Sequence, residues 1–182
     1  MKLLHGSSVY LTAPILDDLT ALQPLMQSMD YQRWASTSSA YLRQTPQKLL
    51  DSFREQRQNG SAYPFVIRMQ ADERPIGICM LLDVNWHSRH TFAAIGIVGP
   101  ANRGQGLGSD AMRVLLRYGF DIVNLNRIGL KVASFNKMAI ASYEKLGFVV
   151  EVTQREAVYR DGEYHDILLM GILRDEWSKA EA

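Results

Sequence analysis

The sequence is poor in cysteine, has no long apolar run and carries almost no net charge. Cys79 is the only cysteine in 182 residues, so an intramolecular disulfide is impossible and a metal site built on cysteine is not expected. No apolar run approaches the ~20 residues of a membrane span. With 20 Lys and Arg against 19 Asp and Glu, the net charge of +1 predicts no bulk attraction to nucleic acid or to an anionic membrane.

The start of the chain and its overall composition indicate where the protein is located and how many domains it has. Met1–Gly6 holds no apolar core long enough for a signal peptide, so we expect a soluble, cytoplasmic protein. The hydrophobic fraction of 47% and the charged fraction of 21% are typical of a globular chain. No repeat divides it, and we therefore expect residues 1–182 to form one domain.

Apolar periodicity and turn residues divide the chain into seven strands and four helices. The strands are expected at Ser7–Leu11, Ala62–Met69, Pro75–Val84, Thr91–Val98, Arg127–Ala133, Phe148–Tyr159 and Glu163–Leu173. The helices are expected at Ile15–Met26, from Thr45-Pro46 to Asn59-Gly60, at Ser109–Val123 and at Lys137–Leu146. Residues Ser28–Gln44 give no clear assignment. Cys79 falls within an apolar strand and is predicted to be buried rather than reactive.

The order of these elements predicts a mixed α/β sheet. The strand, helix and strand between Thr91 and Ala133 indicate a parallel pair with a right-handed crossover. Asp161-Gly162, between the last two strands, is a hairpin signal that makes those strands antiparallel neighbours.

The most informative segment is the glycine-rich turn Arg103–Ser109, which follows a strand and opens a helix. It carries glycines at 104, 106 and 108. The first N–H groups of a helix have no intrahelical partner, and the helix dipole favours an anion there. Glycines let a phosphate approach the backbone, and Arg103 can add a charged contact. The same glycines would also serve a purely structural connection, so the turn alone leaves both interpretations open.

Two common phosphate motifs do not fit this turn. A P-loop would continue into Lys followed by Ser or Thr, which are absent here. A dinucleotide-binding turn has the order G-x-G-x-x-G, whereas these glycines alternate as G-x-G-x-G.

Arg103-x-x-Gly106-x-Gly108 resembles the (Gln/Arg)-x-x-Gly-x-(Gly/Ala) signature of the GNAT superfamily of N-acetyltransferases. In that family, too, the signature follows a central strand and opens a helix. A second similar element lies in the family's order and separation, and it reads Asn136 … Ala139 … Ser142-Tyr143-Glu144-Lys145-Leu146-Gly147-Phe148. The tail of the chain, Tyr159–Asp166 and Gly171–Leu173, looks most like the branch of ribosomal-protein N-terminal acetyltransferases and spermidine acetyltransferases.

This resemblance implies a fold and a donor site. The implied fold is a mixed, mostly antiparallel sheet of six to seven strands with a central parallel pair, flanked by about four helices. The implied cosubstrate is acetyl-CoA, without a metal, and its pantetheine arm is expected along the backbone of Ile97 and Val98. The implied pyrophosphate site consists of Arg103, Gly104, Gln105, Gly106, Leu107, Gly108 and Ser109.

The resemblance also implies catalytic roles. Tyr143 is expected beside the CoA sulfur as general acid, Asn136 beside the pantetheine or the thioester, and an N–H near Val98 at the oxyanion. Two of these residues also have structural interpretations, because a tyrosine on a short helix often belongs to the core and Asn136 suits a helix N-cap.

The family pattern does not supply a general base. Many members carry a glutamate on the strand before the signature, but Phe92–Gly96 contains no acid. The candidates are Asp83, His87, His90 or a water chain. We favour His87, because an unperturbed imidazole suits a base at neutral pH. A solvated turn histidine is the alternative interpretation.

The acceptor is expected to be a primary amine. A protein N-terminus is favoured on the resemblance, and a polyamine or another small amine is the alternative. Trp34, Tyr31 and Tyr41 are candidates for lining the acceptor pocket or for local core. A CoA-binding sensor without turnover and a non-enzymatic interaction module are alternative functions. Edge strands of such a sheet invite pairing, so a homodimer is a candidate assembly.

Overall fold

The computed structural model describes residues 3–34 and 44–180, and within them the chain forms seven strands and six α-helices. The strands are β1 (Val9–Thr12), β2 (Ala62–Met69), β3 (Pro75–Asn85), β4 (His90–Ile97), β5 (Arg127–Ala133), β6 (Val149–Arg160) and β7 (Glu163–Leu173). The helices are α1 (Leu16–Met26), α2 (Met29–Trp34), α3 (Pro46–Gln58), α4 (Leu107–Arg117), α5 (Lys137–Lys145) and α6 (Arg174–Ala180).

All seven strands belong to one sheet, in the order β1-β2-β3-β4-β5-β7-β6. Each neighbouring pair is antiparallel except β4–β5, which is parallel and is connected through α4. The predicted mixed sheet with a central parallel pair is therefore confirmed, and so is the terminal hairpin at Asp161-Gly162.

The helices differ from the expectation in number and at one boundary. Helix α4 begins at Leu107, two residues earlier than expected, and after Arg117 it continues as a π-helical turn over Tyr118–Ile122. Two short helices, α2 and α6, add to the four that were expected. Helix α2 lies in the segment left unassigned, because six residues are too few for apolar periodicity to identify a helix.

Helices cover both faces of the sheet and divide its core into two clusters. The larger cluster packs α4 against the sheet, with Met112, Leu115 and Leu116 fully buried. The smaller cluster packs α1 and α3 against the opposite face, where Leu19 and Phe53 are buried. The sheet is continuously apolar along β3 because both of its faces are covered.

Cys79 lies in the larger cluster and has no exposed surface. Burial raises the pKa of its thiol above the ordinary value, so the thiol stays protonated at neutral pH. The predicted burial of Cys79 in a strand is confirmed. Within the described ranges, no helix is both long and apolar enough to cross a membrane.

Helix α4 also anchors the start of the chain through Asp110 in its first turn. The Asp110 carboxylate accepts backbone N–H bonds from Ser7 at 2.9 Å, from Ser8 at 2.7 Å and from Val9 at 3.1 Å. Arg117, two turns later, donates to the carbonyl oxygens of Leu3 and His5. The N-terminal segment and β1 are therefore attached to the helix that follows the glycine turn.

We expect Asp110→Ala to lower the free energy of unfolding by about 2 kcal/mol, because hydrogen bonds to a charged acceptor are the stronger kind. Urea denaturation measures the change. Asp121→Ala is the matched control, since Asp121 is exposed, and it should cost less than about 0.5 kcal/mol. Equal effects of the two variants would contradict the anchoring role.

Candidate functional site

A gap opens in the middle of the sheet where β4 and β5 part. Their pairing is limited to three positions, His90 with Arg127, Thr91 with Ile128 and Phe92 with Gly129. Beyond Phe92 each strand continues without the other, β4 to Ile97 and β5 to Ala133. The gap therefore lies beside the second half of β4 and leads toward the glycine turn.

The register between β3 and β4 decides which backbone groups face this gap. The Val98 N–H donates to the Ile76 oxygen at 2.8 Å, so this position is a hydrogen-bonded one in the antiparallel ladder. Hydrogen-bonded and non-hydrogen-bonded positions alternate along such a ladder. Ile97 and Ile95 consequently direct their N–H and C=O groups away from β3 and into the gap.

The backbone groups of Val98, which were predicted beside the pantetheine, already have partners within the protein. The Val98 N–H is bonded to Ile76, and its C=O accepts a 2.7 Å bond from the side-chain amide of Asn102. Arg74 in turn donates to the Asn102 oxygen at 3.0 Å. Both polar groups of Val98 are therefore used to hold the end of β4, and Ile97 is the member of the predicted pair that faces the gap.

The glycine turn has the conformation and the open space that a phosphate site needs. Gly104 and Gly106 have φ of 71° and 77°, values that favour glycine, and a Cβ at either position would meet nothing within 4 Å. Gly106 is the N-cap of α4 and provides no side-chain cap. The N–H groups of Leu107, Gly108 and Ser109 thus begin the helix without intrahelical acceptors.

The other predicted residues of the turn have contacts of their own. The Gln105 side chain folds back and donates to the Ala101 oxygen at 2.5 Å. The Ser109 hydroxyl lies 2.7 Å from the Ser142 hydroxyl of α5, one residue before Tyr143. This contact, which the sequence motifs do not reveal, fixes the first turn of α4 against the helix that carries the expected general acid.

Helix α5 positions Asn136 and Tyr143 on the same side of the sheet as α4. Asn136 is the N-cap, as its structural interpretation predicted, and its side-chain oxygen accepts the Ala139 N–H at 3.2 Å. The Tyr143 ring packs edge-on against Phe148 with centroids 5.9 Å apart and joins the larger cluster. Burial raises the pKa of Tyr143 to about 12, so its hydroxyl is a proton donor, and not a base, at neutral pH.

The choice of His87 as the base stays a prediction. This residue is exposed in the turn between β3 and β4, before the first residue of β4. Asp83 and His90 lie toward the same end of β3 and β4, where β4 and β5 are still paired.

Of the three aromatic residues considered for the acceptor side, Tyr31 is placed by the structure. It packs on the smaller cluster and lies against Gly96 of β4. Tyr41 and the side chain of Trp34 lie outside the described part of the chain.

Comparison with known proteins identifies the protein family to which the chain belongs. Residues 8–149 match the acetyltransferase (GNAT) domain, and the chain belongs to that family. The predicted family and its fold are therefore confirmed.

Particular relatives lie in the branches expected from the sequence. The spermidine N(1)-acetyltransferases of Vibrio cholerae and Escherichia coli K12 are 34% and 31% identical over 113 and 110 residues. These matches span 62% and 60% of this chain, and 64% and 58% of the relatives. The matched region is thus less than two thirds of the length of each relative. A ribosomal N-acetyltransferase of Bacillus subtilis, YdaF, is 34% identical over 74 residues, which are 41% of this chain and 40% of that protein.

Solved structures extend the similarity to most of the chain. The spermidine N-acetyltransferase of Vibrio cholerae, in complex with CoA and spermine, superposes with a TM-score of 0.81 at 25% identity. The superposition covers 95% of this chain and 99% of that one. The fold described above is thus the fold of a known CoA-binding acetyltransferase.

Acetyl-CoA should bind to the wild-type protein with micromolar affinity, and Gly106→Trp should lose at least tenfold in affinity. An indole beside the first turn of α4 would fill the open space there and block a phosphate. Calorimetric titration measures the affinity. Gly162→Trp is the matched control, because Gly162 also has a positive φ and open space but lies in the β6–β7 turn. Equal affinity of the two variants would exclude the glycine turn as the donor site.

Proposed function

We propose that this protein transfers an acetyl group from acetyl-CoA to a primary amine. The observation that carries the proposal is the continuity between the open glycine turn and the gap beside β4. The glycine turn presents helix N–H groups without intrahelical acceptors, and the gap presents the N–H and C=O groups of β4. The family membership and the CoA complex of the similar Vibrio cholerae enzyme support the same ligand.

The donor would bind in the following way. The amides of Gly104–Ser109, assisted by Arg103, bind the pyrophosphate, and the Ile97 backbone pairs with the pantetheine arm as an added strand would. Asn136 lies at the start of α5, where its amide can contact the pantetheine while its oxygen caps the helix. Tyr143 is near the end of the arm on the side of the larger cluster.

The proposed reaction is direct attack by the amine nitrogen on the acetyl carbonyl. A C–N bond forms, the C–S bond breaks, the attacking nitrogen loses a proton to the solvent, and the sulfur leaves as a thiol once it receives a proton. Binding both reactants in one gap lowers the entropic part of the barrier. Tyr143, which keeps its proton at neutral pH, is the proposed donor to the sulfur.

Tyr143→Phe should reduce kcat by about 10²–10⁴-fold and leave the KM for acetyl-CoA nearly unchanged, because the hydroxyl acts on the departing sulfur. Thiol release measures the rates. The pKa of Tyr143 is raised to about 12, so this residue should stay protonated up to about pH 10. Its ionisation should therefore not lower kcat below about pH 10. Tyr10→Phe, on edge strand β1, is the control. A kcat for Tyr143→Phe equal to that of the control would exclude the acid role.

We further propose that the acceptor amine is a peptide N-terminus, with a polyamine as the second candidate. No carboxylate lies on Phe92–Gly96, and His87 is exposed in the turn before β4. An α-amino group, with an ordinary pKa of about 7.7–8.0, is roughly one third neutral at about pH 7.5. An amine of ordinary pKa about 10.4 is neutral in roughly 0.1% of molecules. A site without a strong base therefore favours the α-amino group.

A pentapeptide with a free N-terminal serine or alanine should be acetylated with a kcat/KM at least tenfold above that of spermidine at pH 7.5. The same peptide with a blocked N-terminus is the matched control and should release no thiol. The peptide rate should level off above its own amine pKa. Preference for spermidine would overturn the peptide assignment but leave acetyl transfer intact, whereas donor binding without turnover on any amine would indicate a CoA sensor.

A second copy of the chain is the proposed partner for strand β6. This strand ends the sheet and exposes Val149, Val150 and Val152, each at more than 40% of its surface. A spermidine N-acetyltransferase of similar fold is dodecameric. The homodimer, the single domain over residues 1–182 and the cytoplasmic location stay predictions.

A further inference from the structure

A tyrosine hydroxyl from α2 occupies the place of a side chain on β4. Gly96 lies on the β4 face that packs on the smaller cluster, and a Cβ added to it would overlap the Tyr31 hydroxyl oxygen and come within 2.9 Å of its Cζ. Ala94, the neighbour of Gly96 on the same face, is also small. Gly96 is thus needed for the hydroxyl to reach the strand that borders the gap.

Tyr31 and Tyr143 lie on opposite faces of the sheet. Tyr143 belongs to the larger cluster with α4, and Tyr31 to the smaller cluster with α1 and α3. A planar thioester in the gap would have one face toward each cluster. The Tyr31 hydroxyl therefore lies on the opposite side of such a thioester from the cluster that contains Tyr143.

The Tyr31 hydroxyl is protonated, and within the described residues its oxygen is not used in a hydrogen bond. Burial raises the pKa of Tyr31, and the positive charge of Arg103 offsets part of that increase. No hydrogen bond joins this hydroxyl to any residue in the described ranges 3–34 and 44–180. Its oxygen can therefore accept a hydrogen bond from a ligand.

Contacts with the terminal hairpin hold α2 in this position. Arg160 at the end of β6 donates to the Gln32 oxygen at 2.9 Å. The Arg33 side chain lies 3.1 Å from the Asp161 carboxylate in the hairpin turn. A helix of six residues has little stability alone, so these bonds help to fix where Tyr31 lies.

From this geometry we infer that Tyr31 binds the acceptor: its hydroxyl oxygen accepts an N–H of the attacking amine. The amine lone pair then stays available for the carbonyl, and the bond strengthens as the nitrogen becomes positive during attack. This role rests on the proposed acetyl transfer.

Tyr31→Phe tests the role, because it removes the hydroxyl and keeps the ring. The acceptor should be the serine pentapeptide, with spermidine in a parallel series and thiol release as the measure. We expect kcat/KM for the acceptor to fall about tenfold, the loss of one hydrogen bond. The KM for acetyl-CoA and the unfolding midpoint should not change. The tenfold decrease in kcat/KM should be the same at about pH 7 and at about pH 9. Loss of a general base would instead change the shape of the pH–rate profile. Tyr10→Phe is the matched control.

A mutant cycle with Gly96 provides a second measurement. Gly96→Ala should displace the hydroxyl and lower kcat/KM for the acceptor in the wild-type background. In the Tyr31→Leu background, where the ring is absent, the same change should have little further effect. Acceptor kinetics of Tyr31→Phe equal to those of Tyr10→Phe, or an effect on acetyl-CoA alone, would overturn the inference and leave acetyl transfer standing. Absence of turnover by the wild type on every amine would overturn both.

Discussion

The separation of β4 from β5 after three paired positions is the constraint on which the rest of the structure depends. A strand in the middle of a sheet normally has both of its edges bonded, and here the second half of β4 has only β3. The N–H and C=O groups of Ile95 and Ile97 therefore need another partner. A ligand with an amide-bearing arm can satisfy them in the way a missing strand would, and the same gap connects the two faces of the sheet.

The glycine turn is useful only because the helix after it is held in place. The first turn of α4 is bonded through Asp110 to the N-terminal segment and through Ser109 to α5. Asn102 fixes the end of β4 through the Val98 carbonyl, just before the turn begins. These contacts orient the helix N–H groups before a ligand arrives, so binding a phosphate requires little reorganisation.

The donor half of the site could be predicted from the sequence, and the acceptor half could not. The proposed donor half consists of consecutive backbone groups at Gly104–Ser109, and a motif describes such a segment directly. The proposed acceptor half depends on Tyr31, Gly96 and Arg160, which are far apart in the chain and are brought together by the packing of α2. The partners of the Val98 backbone were not predictable for a related reason, because ladder register is a property of two strands and not of one sequence window.

The two phenols proposed to act at the gap are both protonated, and this determines what they can do with a proton. Tyr143 and Tyr31 both have raised pKa values because burial disfavours the phenolate, so neither accepts a proton at neutral pH. They can donate a hydrogen bond to a departing sulfur and accept one from an N–H. In the proposed reaction the ammonium proton is lost to the solvent, so the fraction of acceptor already neutral limits the rate. Such a site would discriminate among amines by their own pKa before it recognises any other feature of the acceptor.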